Sequence, residues 1–527
     1  MRAFPAETTR KNMRFFGFKY FLGSFCHCVF QAGMCDSRSM GRPWATLLLA
    51  CSFWVTWPCA AADLTQAIDA LMQASPAVRA SVGIQVVDLK TGNALYSRNA
   101  DRLYLPASNM KLFTAALALE RLGPEYRLTT RLVRTPDGDL ILVGGGDPSM
   151  SGRTYPYQKE TPTPKPNPLQ AIEELADQAV AAGIVRVDGD IVGDDQFYPW
   201  APYPPSWTAE DLIGEDGTPV SALTVNDNVI TLAIHPAARA GELASISLEP
   251  AIEYYAVDNQ VITVAGEKEA RIRVTRLQGT RQILVWGSIP LAGAAVRENL
   301  AVDDPALFAA CALYDALLRR GIAVRGRPLA RHRQVSEDPW PVEGEVIATR
   351  TSPPMLEMLQ VIEKVSQNLH AELMLREVAR VTRGTGTRES GLTELAGWLA
   401  SIGIKNEEWR AEDGSGLSRN DEVSPRAVTR LLTYMAASKN RVAWVSLLPV
   451  GGEDGTLEHR LCCVSDTSAA KQVRAKTGSL TRAIALSGYA DSRTRGRLAF
   501  SILVNNFSAP QAEVRAWVDR IALALVE

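Results

Sequence analysis

The sequence predicts an α+β fold, in which an antiparallel sheet flanked by helices carries a large inserted segment rich in strands. Two observations favour this fold. Residues 473–490 alternate like a strand pair, and they are followed by the apolar run 498–504 and a helical stretch at 510–526. Between residues 132 and 344, short apolar runs of strand length outnumber helical segments. We therefore expect residues 63–131 and 345–527 to form one domain and residues 132–344 to form the insertion.

The first 62 residues are typical of a leader that ends in a secretory signal peptide. The segment 40–43 contains Arg42, residues 44–57 form an apolar core, and small residues follow up to Ala62. Cleavage is expected after Ala62. No later run is apolar for long enough to span a bilayer, so we expect no integral membrane span in the processed chain.

Composition excludes several classes of protein. The 527 residues have a net charge of −2 and show no long basic tract, so nucleic acid is not an expected partner. The five histidines form no metal-binding motif, and we predict neither a metal nor a cofactor. Five of the eight cysteines lie in the leader, and Cys311 lies in an apolar helical stripe, where packing in the core is expected. The pattern does not establish a disulfide involving Cys311, Cys462 or Cys463.

The first elements after the leader are a hairpin and an apolar helix. Residues 82–89 and 94–96 alternate on either side of Lys90-Thr91-Gly92, which predicts a turn between two strands. Pro106-Ala107-Ser108 then precedes an apolar run, so that Ser108 opens a helix ending near Gly123. Lys111 lies one turn after Ser108 on the same face.

By its pattern of apolar residues, the insertion is predicted to contain one helix and at least five strands. The helix is expected at 169–182, after the proline-rich segment 161–168. The predicted strands are 140–143, 185–192, 229–234, 272–274 and 283–288.

Two polar motifs follow the insertion. Ser366 and Asn368 come directly before an apolar helix, and Lys476-Thr477-Gly478-Ser479 occupies the first strand of the carboxyl-terminal pair. Each motif alone has a simple structural explanation, since Ser and Asn commonly cap helices and glycine commonly ends a strand.

Together, Ser108-Asn109-Met110-Lys111, Ser366-Gln367-Asn368 and Lys476-Thr477-Gly478 form the ordered set found in penicillin-binding proteins and class A β-lactamases. In such a site a lysine, here Lys111, serves as the base that accepts the proton of a nucleophilic serine, here Ser108. We expect Ser366 to relay a proton and Asn368 to hold Lys111 and the substrate amide. Lys476 would add positive charge near a substrate carboxylate, and Thr477 and Ser479 would donate from their hydroxyls. Gly478 would admit the ligand backbone to the strand edge.

From residue 63 to 527 the chain resembles the class C low-molecular-mass penicillin-binding proteins, which are D-alanyl-D-alanine carboxypeptidases and endopeptidases. The large separation of the first two motifs is typical of that family. Further family-like runs are Asp413-Gly414-Ser415-Gly416-Leu417-Ser418-Arg419, Gly144-Gly145-Gly146-Asp147-Pro148, Pro219-Val220-Ser221-Ala222-Leu223, Gly451-Gly452-Glu453-Asp454-Gly455-Thr456-Leu457 and Ala485-Leu486-Ser487-Gly488-Tyr489.

The resemblance implies a penicillin-binding transpeptidase-like (serine β-lactamase-like) domain with two added β-rich subdomains. It also implies a periplasmic enzyme that acts on peptidoglycan stem peptides and is acylated by β-lactams. The backbone amides of Ser108 and Ser479 would form the oxyanion hole. Arg419 and Asp194 match family positions near the pocket for a diaminopimelate side chain. Arg419 would pair with its carboxylate and Asp194 with its ammonium group.

Two other functions share parts of this pattern. A serine β-lactamase or esterase would use the same Ser108 and Lys111 but would turn penicillin over rapidly. A non-catalytic cell-wall binding protein would have the fold without forming an acyl-enzyme. The sequence leaves the oligomeric state and the balance between carboxypeptidase and endopeptidase activity open.

Overall fold

The structure is a computed structural model that describes residues 64–160, 162–266, 268–277, 279–461 and 467–527. The predicted leader and signal peptide, as well as Cys462 and Cys463, lie outside these ranges. The α-helices within them are α1 Leu64–Gln73, α2 Met110–Arg121, α3 Gln170–Ala181, α4 Pro305–Arg319, α5 Met355–Lys364, α6 Asn368–Arg383, α7 Arg388–Ser401, α8 Pro425–Ala437, α9 Arg441–Leu447, α10 Thr467–Ala470 and α11 Gln511–Ala524.

The described strands form several sheets and confirm the α+β class. They are β1 Ser81–Asp88, β2 Ala94–Arg98, β3 Thr129–Arg134, β4 Leu140–Val143, β5 Arg186–Val187, β6 Ile191–Asp194, β7 Val229–His235, β8 Ser245–Glu249, β9 Ala256–Val264, β10 Arg271–Arg276, β11 Gln282–Pro290, β12 Val296–Ala301, β13 Ala323–Val324, β14 Pro328–Arg331, β15 Glu345–Thr351, β16 Trp409–Arg410, β17 Glu422–Val423, β18 Val473–Leu480, β19 Ala483–Ser492 and β20 Gly496–Asn505.

The sheet that carries the third motif is antiparallel and combines both ends of the described chain. Its strand order is β18–β19–β20–β1–β2. Successive side chains of β20 point to opposite faces, so Phe500 and Ile502 pack with α1 and α11 while Ala499 and Leu503 join the core of α2, α6 and α8. Both faces of this sheet are therefore buried, and this explains why β20 contains the nearly continuous apolar run 498–504.

The segment between α2 and α5 has its own sheets and its own core. A five-stranded sheet has the order β14–β6–β4–β3–β15, and two three-stranded sheets have the orders β12–β7–β8 and β10–β11–β9. These sheets and the helices α3 and α4 share one cluster of buried apolar side chains, which includes Cys311 as predicted. Asp304 caps α4 by accepting a hydrogen bond from the Leu307 amide at 2.9 Å, with Pro305 in the first turn.

The predicted domain boundaries fall on one pair of strands. Strand β3 crosses residue 131, and it pairs with β15, which begins at residue 345. The chain therefore leaves and re-enters the main domain through adjacent strands, while the division into domains itself stays a prediction. No helix in the described ranges is both long enough and apolar enough to cross a membrane.

The single strand predicted at 185–192 is wrong, because the chain turns in its middle and forms β5 and β6. Asp139 contacts this turn closely: its Oδ1 accepts a hydrogen bond from the Asp190 amide at 2.7 Å, and a Cβ at Gly189 would lie 2.1 Å from the same oxygen. The bend at Gly189 thus needs the neighbouring loop, which a pattern of local hydrophobicity does not include.

Candidate active site

Ser108 lies at the point where α2 meets the edge of the main sheet. It is the middle residue of a short 3-10 turn, Ala107–Asn109, which leads directly into α2, and its side chain is half-buried. Asn109 fixes this turn to the sheet by donating from Nδ2 to the Lys476 carbonyl at 3.1 Å. Ser108, Ser366, Asn368, Thr477, Gly478 and Ser479 line a common cleft of about 350 Å³.

Lys111 projects from the first turn of α2 to the nucleophile predicted from the sequence. Its Nζ lies 3.2 Å from Ser108 Oγ, 2.5 Å from Asn368 Oδ1 and 2.6 Å from the Ser415 carbonyl oxygen. The side chain is completely buried. Three acceptors therefore surround the three donors of an ammonium group, and one of these acceptors is the serine hydroxyl.

Burial lowers the pKa of Lys111 to about 8, since the charged form loses its water. Nearby carboxylates oppose this shift by raising the pKa of Lys111. Asp413 has the largest effect and Glu363 the next, and the sequence motifs reveal neither. A lysine with a pKa near 8 is neutral in a useful fraction of molecules at physiological pH, as a general base must be.

The second motif places Ser366 and Asn368 in the cleft because Gln367 takes the capping role. The Gln367 side chain accepts a hydrogen bond from the Leu369 amide at 2.9 Å, which caps α6. Ser366 adopts a left-handed backbone with φ of +66°, and its hydroxyl accepts from Lys476 Nζ at 2.8 Å. Asn368 holds Lys111 with Oδ1 and donates from Nδ2 to the Asp216 carbonyl at 2.8 Å.

The third motif forms one wall of the cleft along β18. Lys476 is completely buried, burial lowers its pKa, and its Nζ also lies 3.0 Å from the Thr477 carbonyl. Thr477 Oγ1 donates to Thr456 Oγ1 at 2.8 Å, whereas Ser479 is exposed to the cleft. A Cβ at Gly478 would lie 2.7 Å from the Pro106 carbonyl oxygen, so this glycine lets β18 pack against the turn that carries Ser108.

The run from Asp413 to Arg419 forms a loop around a single carboxylate. Asp413 accepts hydrogen bonds from the Ser415, Gly416 and Ser418 amides at 3.0, 2.6 and 2.7 Å. This arrangement directs the Ser415 carbonyl at Lys111. The family-like run therefore positions Lys111 through its main chain.

Arg419 and Asp194 do not line the cleft with the other predicted residues. Arg419 is exposed and makes a bidentate ion pair with Asp211, at 2.5 and 3.0 Å. Asp194 is buried at the end of β6, where its Oδ2 accepts from Gln196 Nε2 at 2.7 Å and lies 3.6 Å from Arg331 Nη1. Their substrate-binding roles stay predictions.

Several residues that are not predicted from the sequence lie at or beneath the cleft, among them two acidic side chains and an arginine. Asp216 and Arg515 line it from the insertion and from α11, respectively. Glu363 is buried in α5, and burial raises its pKa against the influence of Lys476 and Lys111. No motif surrounds these residues in the sequence. They reach the site because the fold brings together segments that are distant along the chain.

The cleft is small, and it contains no cluster of metal ligands. In the described part of the chain, no group of three or more His, Cys, Asp or Glu side chains is arranged to hold a metal ion. A larger cavity of about 1040 Å³ lies in the insertion and is lined by residues that include Tyr254, Arg281 and Tyr314. The Ser108 cleft is therefore distinguished by its chemistry and not by its size.

Comparison with solved structures places this arrangement in a known fold. The penicillin binding protein 4 (dacB) of Haemophilus influenzae superposes with a TM-score of 0.73, covering 86% of this chain and 97% of that chain at 23% identity. At this identity the likeness establishes the shared fold.

Sequence comparison gives the family. Residues 64–525 match the D-Ala-D-Ala carboxypeptidase 3 (S13) family. A D-alanyl-D-alanine carboxypeptidase of Actinomadura sp. (strain R39) is 34% identical, covering 88% of this chain and 85% of the relative. The D-alanyl-D-alanine carboxypeptidase DacB of Haemophilus influenzae is 25% identical, covering 82% and 87%. The resemblance predicted from the motifs is confirmed: the chain belongs to the D-Ala-D-Ala carboxypeptidase 3 (S13) family.

Proposed function

We propose that this protein is a serine D-alanyl-D-alanine carboxypeptidase, with endopeptidase action on cross-linked stem peptides, that works through an acyl-enzyme on Ser108. The observation that carries the proposal is the contact between Lys111 Nζ and Ser108 Oγ at 3.2 Å, made by a lysine whose pKa burial lowers to about 8. Peptidoglycan stem peptides are the substrate, and the predicted signal peptide supports a periplasmic location.

The reaction follows from the contacts. Neutral Lys111 accepts the Ser108 proton as Oγ attacks the carbonyl of the penultimate D-alanine. Amides of Ser108 and Ser479 stabilise the tetrahedral oxyanion. Ser366, which accepts from Lys476, relays the proton that Lys111 has taken up to the leaving amine, so that Lys111 is neutral again for deacylation. D-alanine, or the second peptide of a cross-link, then leaves, and water attacks the acyl-serine with Lys111 again as the base.

Intact-mass measurement after incubation with benzylpenicillin tests the proposal. We expect a stable adduct of one penicillin in the wild type and none in Ser108→Ala. The matched control is Ser97→Ala, because Ser97 is exposed and begins an unrelated S-x-N sequence; this variant should label like the wild type.

The other outcomes identify the alternatives. Rapid loss of penicillin without an adduct would indicate a β-lactamase, and neither adduct nor turnover would indicate a binding protein. Labelling that survives Ser108→Ala would place the nucleophile elsewhere.

A further inference from the structure

The cleft beside Ser108 contains a cation that has no partner among the described residues. Two arginines line it, and one of them, Arg460, is paired with Asp519 at 2.5 Å. The other, Arg515, projects from α11 and is half-buried, and it makes no hydrogen bond or ion pair with any described residue. A half-buried guanidinium at the wall of a cleft, without such an anion beside it, is available to an anionic group of a ligand.

Lys476 and Thr477 on this wall already have hydrogen-bond partners. Lys476 is completely buried and donates to Ser366 and to the Thr477 carbonyl. Thr477 Oγ1 is bound to Thr456, whereas Ser479 presents an exposed hydroxyl. Lys476 can contribute charge from beneath β18, but it does not line the cleft. Direct contact with an anionic group of the ligand requires a cationic side chain that does, such as Arg515.

The substrate supplies the complementary anion. In a D-alanyl-D-alanine peptide the terminal carboxylate lies one carbon from the scissile nitrogen, on the leaving side of the bond. Among the described residues that line the cleft, the one acidic side chain is Asp216, which belongs to the insertion. The wall formed by β18 and α11 is therefore cationic.

On these grounds we propose that Arg515 is a specificity-determining residue that binds the free α-carboxylate of the leaving residue. The inference rests on the proposed function. According to this inference, Arg515 makes the enzyme prefer acyl donors whose leaving group carries a free carboxylate beside the scissile bond. An acyl donor whose leaving group lacks this negative charge is disfavoured, because its binding leaves Arg515 in the cleft without an anionic partner.

Two thioesters with the same reacting bond test this role. One is the thioglycolate ester of an N-acyl-D-alanine, with a free carboxylate, and the other is its methyl ester; released thiol is measured for both. We expect the wild type to favour the free acid. Arg515→Ala should lower kcat/KM for the acid by about 10–100-fold, as loss of a charge-assisted hydrogen bond predicts, and change that for the methyl ester by less than about 3-fold. Arg515→Lys should recover part of the loss.

The matched control is Arg520→Ala, since Arg520 is exposed on the same helix and does not line the cleft; both thioesters should react as in the wild type. An equal fall for acid and ester in Arg515→Ala would make Arg515 a structural residue and overturn the inference. Unchanged rates with both would also overturn it. If Ser108→Ala hydrolysed both esters at the wild-type rate, the proposed function would fail instead, whatever the effect at Arg515.

Discussion

At the scale of single residues, Lys111 combines two requirements that usually conflict. Its ammonium form is stabilised by three hydrogen bonds and by nearby carboxylates, whereas complete burial favours the neutral form. Burial is the larger effect, so the pKa falls to about 8 and not further. Lys111 is thus held in position in both protonation states, and a change of pH alters only whether it carries the additional proton.

This balance predicts a rise of acylation rate with pH. Because loss of a proton from Lys111 creates the active form, kcat/KM for penicillin acylation should increase from pH 6, reach half its maximum near pH 8 and level off about one pH unit higher. Stopped-flow measurement of the acylation rate checks this. Lys111→Ala should lower the rate by about 10²–10⁴-fold and abolish the rise. A flat wild-type profile between pH 6 and 9 would exclude Lys111 as the titrating base.

The sequence predicts the contact between Ser108 and Lys111 because their spacing along one helix is local. The spacing of Ser108 and Lys111 places them one turn apart, and the structure has them in contact. It does not reveal that Gln367 caps α6 and so frees Ser366 and Asn368 for the cleft. Arg515 and Asp216 have no local pattern at all, because each approaches Ser108 from an element distant in sequence.

At the scale of elements, the loop 413–419 is shaped by close contact with the turn that carries Ser108. Gly416 has φ of +81°, and a Cβ there would lie 1.9 Å from the Ala107 carbonyl oxygen. Neither main-chain segment can move without displacing Lys111 or Ser108. The glycine is therefore needed both for its backbone conformation and for the space that it leaves.

Gly416→Ala should accordingly destabilise the protein by about 3 kcal/mol and reduce penicillin labelling. Urea unfolding and intact mass measure the two effects. Gly384→Ala is the matched control, because Gly384 has φ of +75° at the end of α6, and a Cβ added there would meet no described atom within 4 Å. It should cost only about 1–2 kcal/mol and leave labelling intact. Equal effects at both positions would mean that backbone conformation alone explains Gly416.

The sequence predicts secondary structure correctly where the buried apolar residues of a strand or helix recur in a regular pattern. The pair β18–β19 and the strand β20 are confirmed, as are the hairpin β1–β2 and the helix α2. Strands β8 and β15 are largely exposed and lack a clear apolar run, so hydrophobicity does not mark them. Their positions depend on pairing with partners elsewhere in the chain.

At the scale of the whole molecule, the segment between α2 and α5, which is predicted to be an insertion, contacts α6 and the loop 413–419 through buried polar groups. Asp227 of the insertion lies 2.9 Å from His370 Nε2 on α6, and it also accepts from Arg153 Nε at 2.6 Å. Trp207 donates from Nε1 to Asp413 at 2.9 Å. The insertion therefore supports both α6 and the loop that positions Lys111.

Asp227→Ala should destabilise the protein by about 2–3 kcal/mol, because it leaves buried His370 and half-buried Arg153 without their hydrogen-bond partner. Acylation should slow as α6 shifts. Denaturant unfolding and the penicillin acylation rate are the measurements. Glu345→Ala removes an exposed ion pair with Arg134 and should cost less than about 1 kcal/mol. Similar losses in both variants would contradict a supporting role for Asp227.

The contact between Lys111 and the Ser415 carbonyl has a consequence for inherited drug resistance. A substitution at position 415 changes the side chain but keeps the carbonyl oxygen that holds the base. An exchange that alters only the side chain at this residue is therefore not expected to release Lys111 and slow β-lactam acylation. We expect release of Lys111 instead from changes at Asn368, or from changes at Asp413 or Gly416 that disturb the loop, and each of these should also slow turnover of stem peptides.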